Sequence, residues 1–99
     1  MTDEEFLAEM KREFPRFVRV GKVTGQVRLS GPAWDRVREF VWRRERGICQ
    51  DTGRPTVLEK GLWRSVHCAH IRSKGSGGSD LPSNLRCLSL EAHAREHAG

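Results

Sequence analysis

The sequence predicts an α+β fold in a single small domain, and three observations carry that prediction. Segments at 3–13 and 33–46 repeat apolar residues with the period of amphipathic helices. Segments at 17–29, 62–71 and 85–88 are rich in β-branched or alternating residues and are bounded by glycine, proline and serine, as paired strands are. The chain has 99 residues, 36% of them hydrophobic, which is material for one core and leaves none for a second.

In chain order, Thr2 is the expected N-cap of a helix over 3–13, with acidic residues in its first turn and Phe6, Leu7 and Met10 on one face, and Pro15 closes it. Residues 17–29 read as a hairpin, with Val18 and Val20 alternating, then Val27 and Leu29, and glycines at 21 and 25. Ser30-Gly31-Pro32 announces a second helix over 33–46, with Gly47 as its stop. Trp34, Val37, Phe40, Val41 and Arg44 follow its period, and tryptophans 34, 42 and 63 are expected to supply at least two core side chains. A turn at Asp51-Thr52-Gly53-Arg54-Pro55 separates two short apolar stretches. A strand over 62–71, a glycine- and serine-rich loop over 73–83, a strand over 85–88 and a helix over 90–98 capped by Ser89 complete the chain. There is no internal repeat and no linker long enough to separate a pair of domains.

Composition narrows the partners. Eighteen Lys and Arg against 13 Asp and Glu give a net charge of +5 and a pI of about 9.7. Basic character without a groove-reading signature points to phosphate-dominated, salt-sensitive contact with nucleic acid. No apolar run approaches the ~18 residues of a membrane span. The N-terminus is acidic where a secretory signal would be basic, so a cytoplasmic protein is expected. Cys49, Cys68 and Cys87 are odd in number and lack a C-x-x-C pair, which fits reduced, small, buried side chains better than a disulfide framework.

All four histidines, 67, 70, 93 and 97, fall in the last third of the chain. His93 and His97 are i and i+4 on a helix, one turn apart on one face, which is the geometry that holds a divalent metal; two surface histidines near a terminus would look the same. His70 ends a strand before a flexible loop, which would present an imidazole to solvent beside the last helix, and imidazole titrates in the range that suits a general base.

Taken as an ordered set, Ala69-His70-Ile71, Gly77-Gly78-Ser79-Asp80, Asn84-Leu85, His93 and His97 resemble the HNH endonucleases, a branch of the His-Me finger (ββα-metal) nucleases. The resemblance covers about 36–98, so residues 1–31 read as an N-terminal extension and 32–99 as the nuclease-like domain. It implies a C-terminal ββα-metal motif and a metal-dependent DNA endonuclease, nicking activity included. By the same resemblance His70 is the general base, Asn84 fixes the loop and orients the base, and His93 and His97 hold one divalent ion, Mg²⁺, Mn²⁺, Zn²⁺ or Ni²⁺. The family leaves a 5′-phosphate and a 3′-hydroxyl, and free-standing members of this size come from phages and mobile elements.

The departures from the pattern are specific. Many members carry a metal ligand immediately before the base, where this chain has Ala69. His67 and Cys68 are near, but neighbouring strand residues face opposite sides, and neither is counted as a ligand. The structural zinc of many relatives needs two Cys-x-x-Cys pairs, and here Cys49 is matched by Thr52, with Ser89 and Ala92 at the second pair, so no structural zinc is expected. Arg72 and Lys74 on the glycine loop and Arg43 and Arg46 on the basic helix are the candidate phosphate contacts, although the acidic residues on that helix also fit a solvated face of ion pairs. Asp80 is read as an Asx turn within the loop. A catalytically weakened, HNH-like nucleic-acid-binding module is the alternative to the enzyme.

Overall fold

The computed structural model describes residues 1–57 and 66–98, with side chains through residue 96. The fold is α+β. Among the described residues three α-helices accompany two separate two-stranded antiparallel sheets, in the order α1 (Asp3–Glu13), β1 (Val18–Val20), β2 (Val27–Leu29), α2 (Gly31–Arg44), β3 (Val66–His70), β4 (Leu85–Ser89) and α3 (Leu90–Ala98).

Local chemistry explains each boundary. At α1 the Thr2 hydroxyl accepts from the Glu5 amide at 3.1 Å while the Glu5 carboxylate accepts from the Thr2 amide at 3.0 Å, a reciprocal cap that satisfies two donors the helix leaves open. Helix α2 begins two residues earlier than expected, at Gly31. It ends at Arg44 because Arg46 (φ 54°) and Gly47 (φ 71°) turn left-handed. Ser89 caps α3 by accepting from the Ala92 amide. Of the strand expected over 62–71, residues 66–70 form β3, Ile71 lies past its end, and 62–65 fall outside the described residues.

Strands β1 and β2 pair Val18 with Leu29 and Val20 with Val27; β3 and β4 pair Val66 with Ser89 and His70 with Leu85. The main core gathers Phe6 and Met10 of α1, Val27 and Leu29 of β2, Ala33, Val37 and Val41 of α2, Cys68 of β3 and Leu85 of β4. Residues 1–31 therefore contribute side chains to the same core as the rest of the chain. Arg36 reaches Glu9 and Glu13 across the α1–α2 interface, and Asp3 accepts from the amide and hydroxyl of Ser83. Both described tryptophans are half-buried: Trp34 packs against the main core, and Trp42 donates its indole N–H to the Thr56 hydroxyl at 3.0 Å. An indole carries a donor, and both rings settle where one side stays wet. Trp63 lies outside the described residues.

A second, smaller cluster joins Cys49, Ala69, Leu88 and Ala92. Alternation along β3 decides which cluster each side chain enters: Cys68 goes to the main core, on the α2 side, and Ala69 to the smaller one beneath α3.

Candidate active site

His70 is the last residue of β3 and falls on the Cys68 side of the hairpin. Its ring lies parallel to the Trp34 indole, with centroids 5.9 Å apart and planes inclined by 4°, and its Nε2 is 2.6 Å from Oδ1 of Asp80. The sequence expectation of an imidazole open to solvent beside the last helix is thus corrected: only 16% of the side chain is exposed, and it faces α2. Strand alternation is the reason, because Ala69 takes the α3 side.

Asp80 is 1% exposed and uses both oxygens, accepting from the Leu29 amide at 2.9 Å through Oδ2 and meeting His70 through Oδ1. The Asx-turn reading of Asp80 gives way to this one: the carboxylate bonds to β2 and β3, at residues 51 and 10 positions away in the chain, rather than to its own turn. Burial pushes the Asp80 carboxyl up, but the His70 and Leu29 hydrogen bonds and the nearby Lys74 charge outweigh it, so its pKa lies below the ordinary carboxylate value.

Asn84 bonds to both ends of the loop. Its Oδ1 accepts from the Arg72 amide at 2.8 Å, and its Nδ2 donates to the carbonyls of Arg72 at 3.0 Å and Ser79 at 2.9 Å. One side chain thereby closes the loop from 72 to 79 on itself. The loop also docks on β2 through the Gln26 amide, which donates to the carbonyls of Lys74 and Gly78. Gly78 sits where a Cβ would lie 1.9 Å from the Arg72 carbonyl oxygen, so the closure requires glycine there. Gly78→Ala is expected to cost about 1–3 kcal/mol, the range for overpacking a tight site, and urea unfolding checks it.

The four candidate phosphate contacts divide. Arg72 belongs to the closed loop, and the Lys74 ammonium stands 5.9 Å from the centre of the Trp34 ring that covers His70. Arg43 and Arg46 sit at or beyond the far end of α2, about 13 Å or more along the axis from Trp34 at 1.5 Å per residue. Arg43 is paired with Glu39 at 2.9 Å.

On the α3 side, the His93 ring stacks on that of His67 with centroids 3.6 Å apart. The sequence pattern alone assigned His67 no role, yet its even spacing from Ala69 places it on the same strand face, and this is the signal that would have found it. His97 follows one turn later on α3; its side chain is outside the described residues. Among the described residues no three His, Cys, Asp or Glu converge as a metal site. The contact between His67 and His93 puts two imidazoles together, and imidazole nitrogen is a ligand type that suits divalent transition metals. Cys68 does not join them: burial pushes its thiol up to about 12, and it faces the main core.

The Cys49 turn brings together Cys49, Thr52, Ser89 and Ala92. The Cys49 sulfur is 3.8 Å from the Ser89 hydroxyl, is hydrogen-bonded by the Thr52 side chain, and shares its apolar cluster with Ala92. Burial raises this thiol, but the Thr52 hydroxyl and the amides of Thr52, Ser89 and Asp51 overcome that and lower its pKa from 9.0 to about 6. A depressed acid stabilises the fold fully above its unfolded pKa of 9.0 and loses that contribution as pH falls through about 6. The difference in urea midpoint between wild type and Cys49→Ser is accordingly expected to grow from pH 6 to pH 9, and bound divalent metal should be the same in both.

No protein-family model, no curated protein and no solved structure matches this chain.

Proposed function

We propose that the protein is a metal-dependent DNA endonuclease of the HNH type, with His70 as general base and Asn84 as the residue that fixes the loop behind it. One observation carries the reading: a histidine at a strand end, backed by a buried carboxylate, is presented beside a glycine loop that an asparagine closes. Hydrolysis of a phosphodiester needs a nucleophile in line with phosphorus, and a positioned imidazole can take the proton of the attacking water. His93 and His97 would hold the divalent cation, with His67 against His93. When bound, that cation supplies charge stabilisation for the phosphorane and the leaving 3′-oxygen. Because His70 and His93 occupy opposite faces of the β3–β4 hairpin, the reading requires the phosphate to lie across the His70 end of it. Arg72 and Lys74 add positive charge at that end.

The alternative, a nucleic-acid-binding module without catalysis, is favoured by Ala69, which stands where many members have a ligand. Supercoiled plasmid incubated with the protein at low salt in Mg²⁺, Mn²⁺, Zn²⁺ or Ni²⁺, with EDTA controls, separates the two. Metal-dependent nicking supports the enzyme, and binding without cleavage in every metal supports the module. His93→Ala is expected to lower metal affinity and nicking together, read by calorimetric titration with Ni²⁺ and by plasmid assay. A variant that keeps wild-type metal affinity would remove His93 from the metal site, and one that loses affinity yet nicks as before would separate that site from cleavage.

A further inference from the structure

The reading above places the buried Asp80 behind His70 but assigns no effect on the ring to it and no role to the N-terminal hairpin that holds it. We infer that Asp80 is a positioning residue that fixes the tautomer and orientation of His70, so that Nε2 carries the proton and Nδ1 is the atom that accepts one from water. The inference rests on the endonuclease reading for its catalytic use, but not for its geometry.

Donor and acceptor chemistry fixes the proton's place. An ionised carboxylate has no proton to give. Oδ1 of Asp80 lies 2.6 Å from Nε2 of His70, a length typical of a strong, charge-assisted hydrogen bond, so the proton between them belongs to the ring. A neutral imidazole has a single N–H, and with that N–H at Nε2 the lone pair is at Nδ1. The carboxylate is held ionised by its surroundings: the His70 and Leu29 hydrogen bonds and the Lys74 charge outweigh the effect of burial. The Trp34 indole lies parallel to the imidazole with ring centroids 5.9 Å apart.

The N-terminal segment supplies the anchor. β2 and the residue before it contact the 74–80 loop repeatedly: Gln26 donates to Lys74 and Gly78, the Val27 amide donates to the Ser79 hydroxyl, the Val27 carbonyl accepts from the Asp80 amide, and the Leu29 amide donates to Oδ2. Backbone bonds of a strand are set by its register, so Asp80 is held by β2 rather than by its own loop. Residues 1–31, which lie outside the family resemblance, thereby acquire a function: they hold the residue that orients the base.

The test is a long-range ¹H–¹⁵N correlation spectrum of the imidazoles, taken where they are neutral, on wild type and Asp80→Asn, beside plasmid nicking by both. His70 of the wild type is expected as the Nε2–H tautomer. Asp80→Asn, able to offer an amide N–H to the ring instead, should lose that preference, and nicking should fall by up to about 10⁴-fold, the loss seen when a histidine base is held in the wrong tautomer. Nδ1–H in the wild type would overturn the inference without reference to any variant, as would an unchanged tautomer in folded Asp80→Asn. The expected tautomers together with no cleavage by wild type in any metal would support the assignment of the proton and overturn the endonuclease reading instead.

Discussion

His70→Ala is expected to abolish metal-dependent nicking while leaving plasmid binding and metal affinity close to wild type. Loss of a positioned general base lowers turnover by about 10²–10⁴-fold, which in a slow plasmid assay reads as no product. Binding should survive because the cationic groups proposed to meet phosphate, Arg72 and Lys74, are untouched, and the proposed metal ligands lie on the other face of the hairpin. The measurements are a nicking time course, a gel-shift titration at two salt concentrations and a Ni²⁺ titration on both proteins. A His70→Ala protein that nicks at the wild-type rate would remove the base from the mechanism and the mechanism from the protein.

Asp80→Ala is expected to be the most destabilising single substitution at the site. Removing the carboxylate leaves the Leu29 amide and the His70 Nε2–H without their acceptor inside the fold, and a buried donor left unpaired costs about 1–3 kcal/mol. Two such donors together cost about 2–6 kcal/mol, a large part of the 5–15 kcal/mol typical of a small domain. Urea unfolding should show a midpoint shifted down with the slope retained. The sign of the pH effect follows from the depressed pKa: the stabilisation from Asp80 is present above its unfolded value of 3.8 and is lost as pH falls through that value toward the lower folded one. The gap in stability between wild type and Asp80→Ala should therefore narrow below about pH 4. A gap that stays constant through that range would mean that the carboxylate is not held as described.

Substitutions at 78 and 80 also separate two roles. Gly78→Ala strains the loop without touching a proton donor, so it should lower stability and slow nicking without changing the tautomer of His70. Asp80→Asn should do the reverse, moving the tautomer more than the fold.

Much of this was legible in the chain alone. Short-range chemistry set α1, through Thr2 and Glu5, and the start of α3, through Ser89. Period-two alternation marked β1 and β2, and the helical spacing of Val37 and Val41 marked the buried face of α2. Asn84 was singled out only through the family resemblance, and its partners at 72 and 79 lie within the same loop. Each of these depends on groups within about a dozen residues of one another, and such contacts leave a trace in spacing.

What the tertiary structure alone decided is the company His70 keeps. A pairing of Asp80 with Leu29, 51 positions apart, leaves no periodicity to read. The direction of the His70 side chain was fixed by which face of β3 the core selected, with Cys68 on the α2 side and Ala69 under α3. The same choice turned His67 toward His93 and set the two histidine groups on opposite faces of one hairpin. The sequence by itself determined the elements and the residue types at the candidate site, because helices, turns and strands answer to local rules. Only packing determined which of those residues meet, because a buried carboxylate takes its partners from whatever strand the fold brings alongside it.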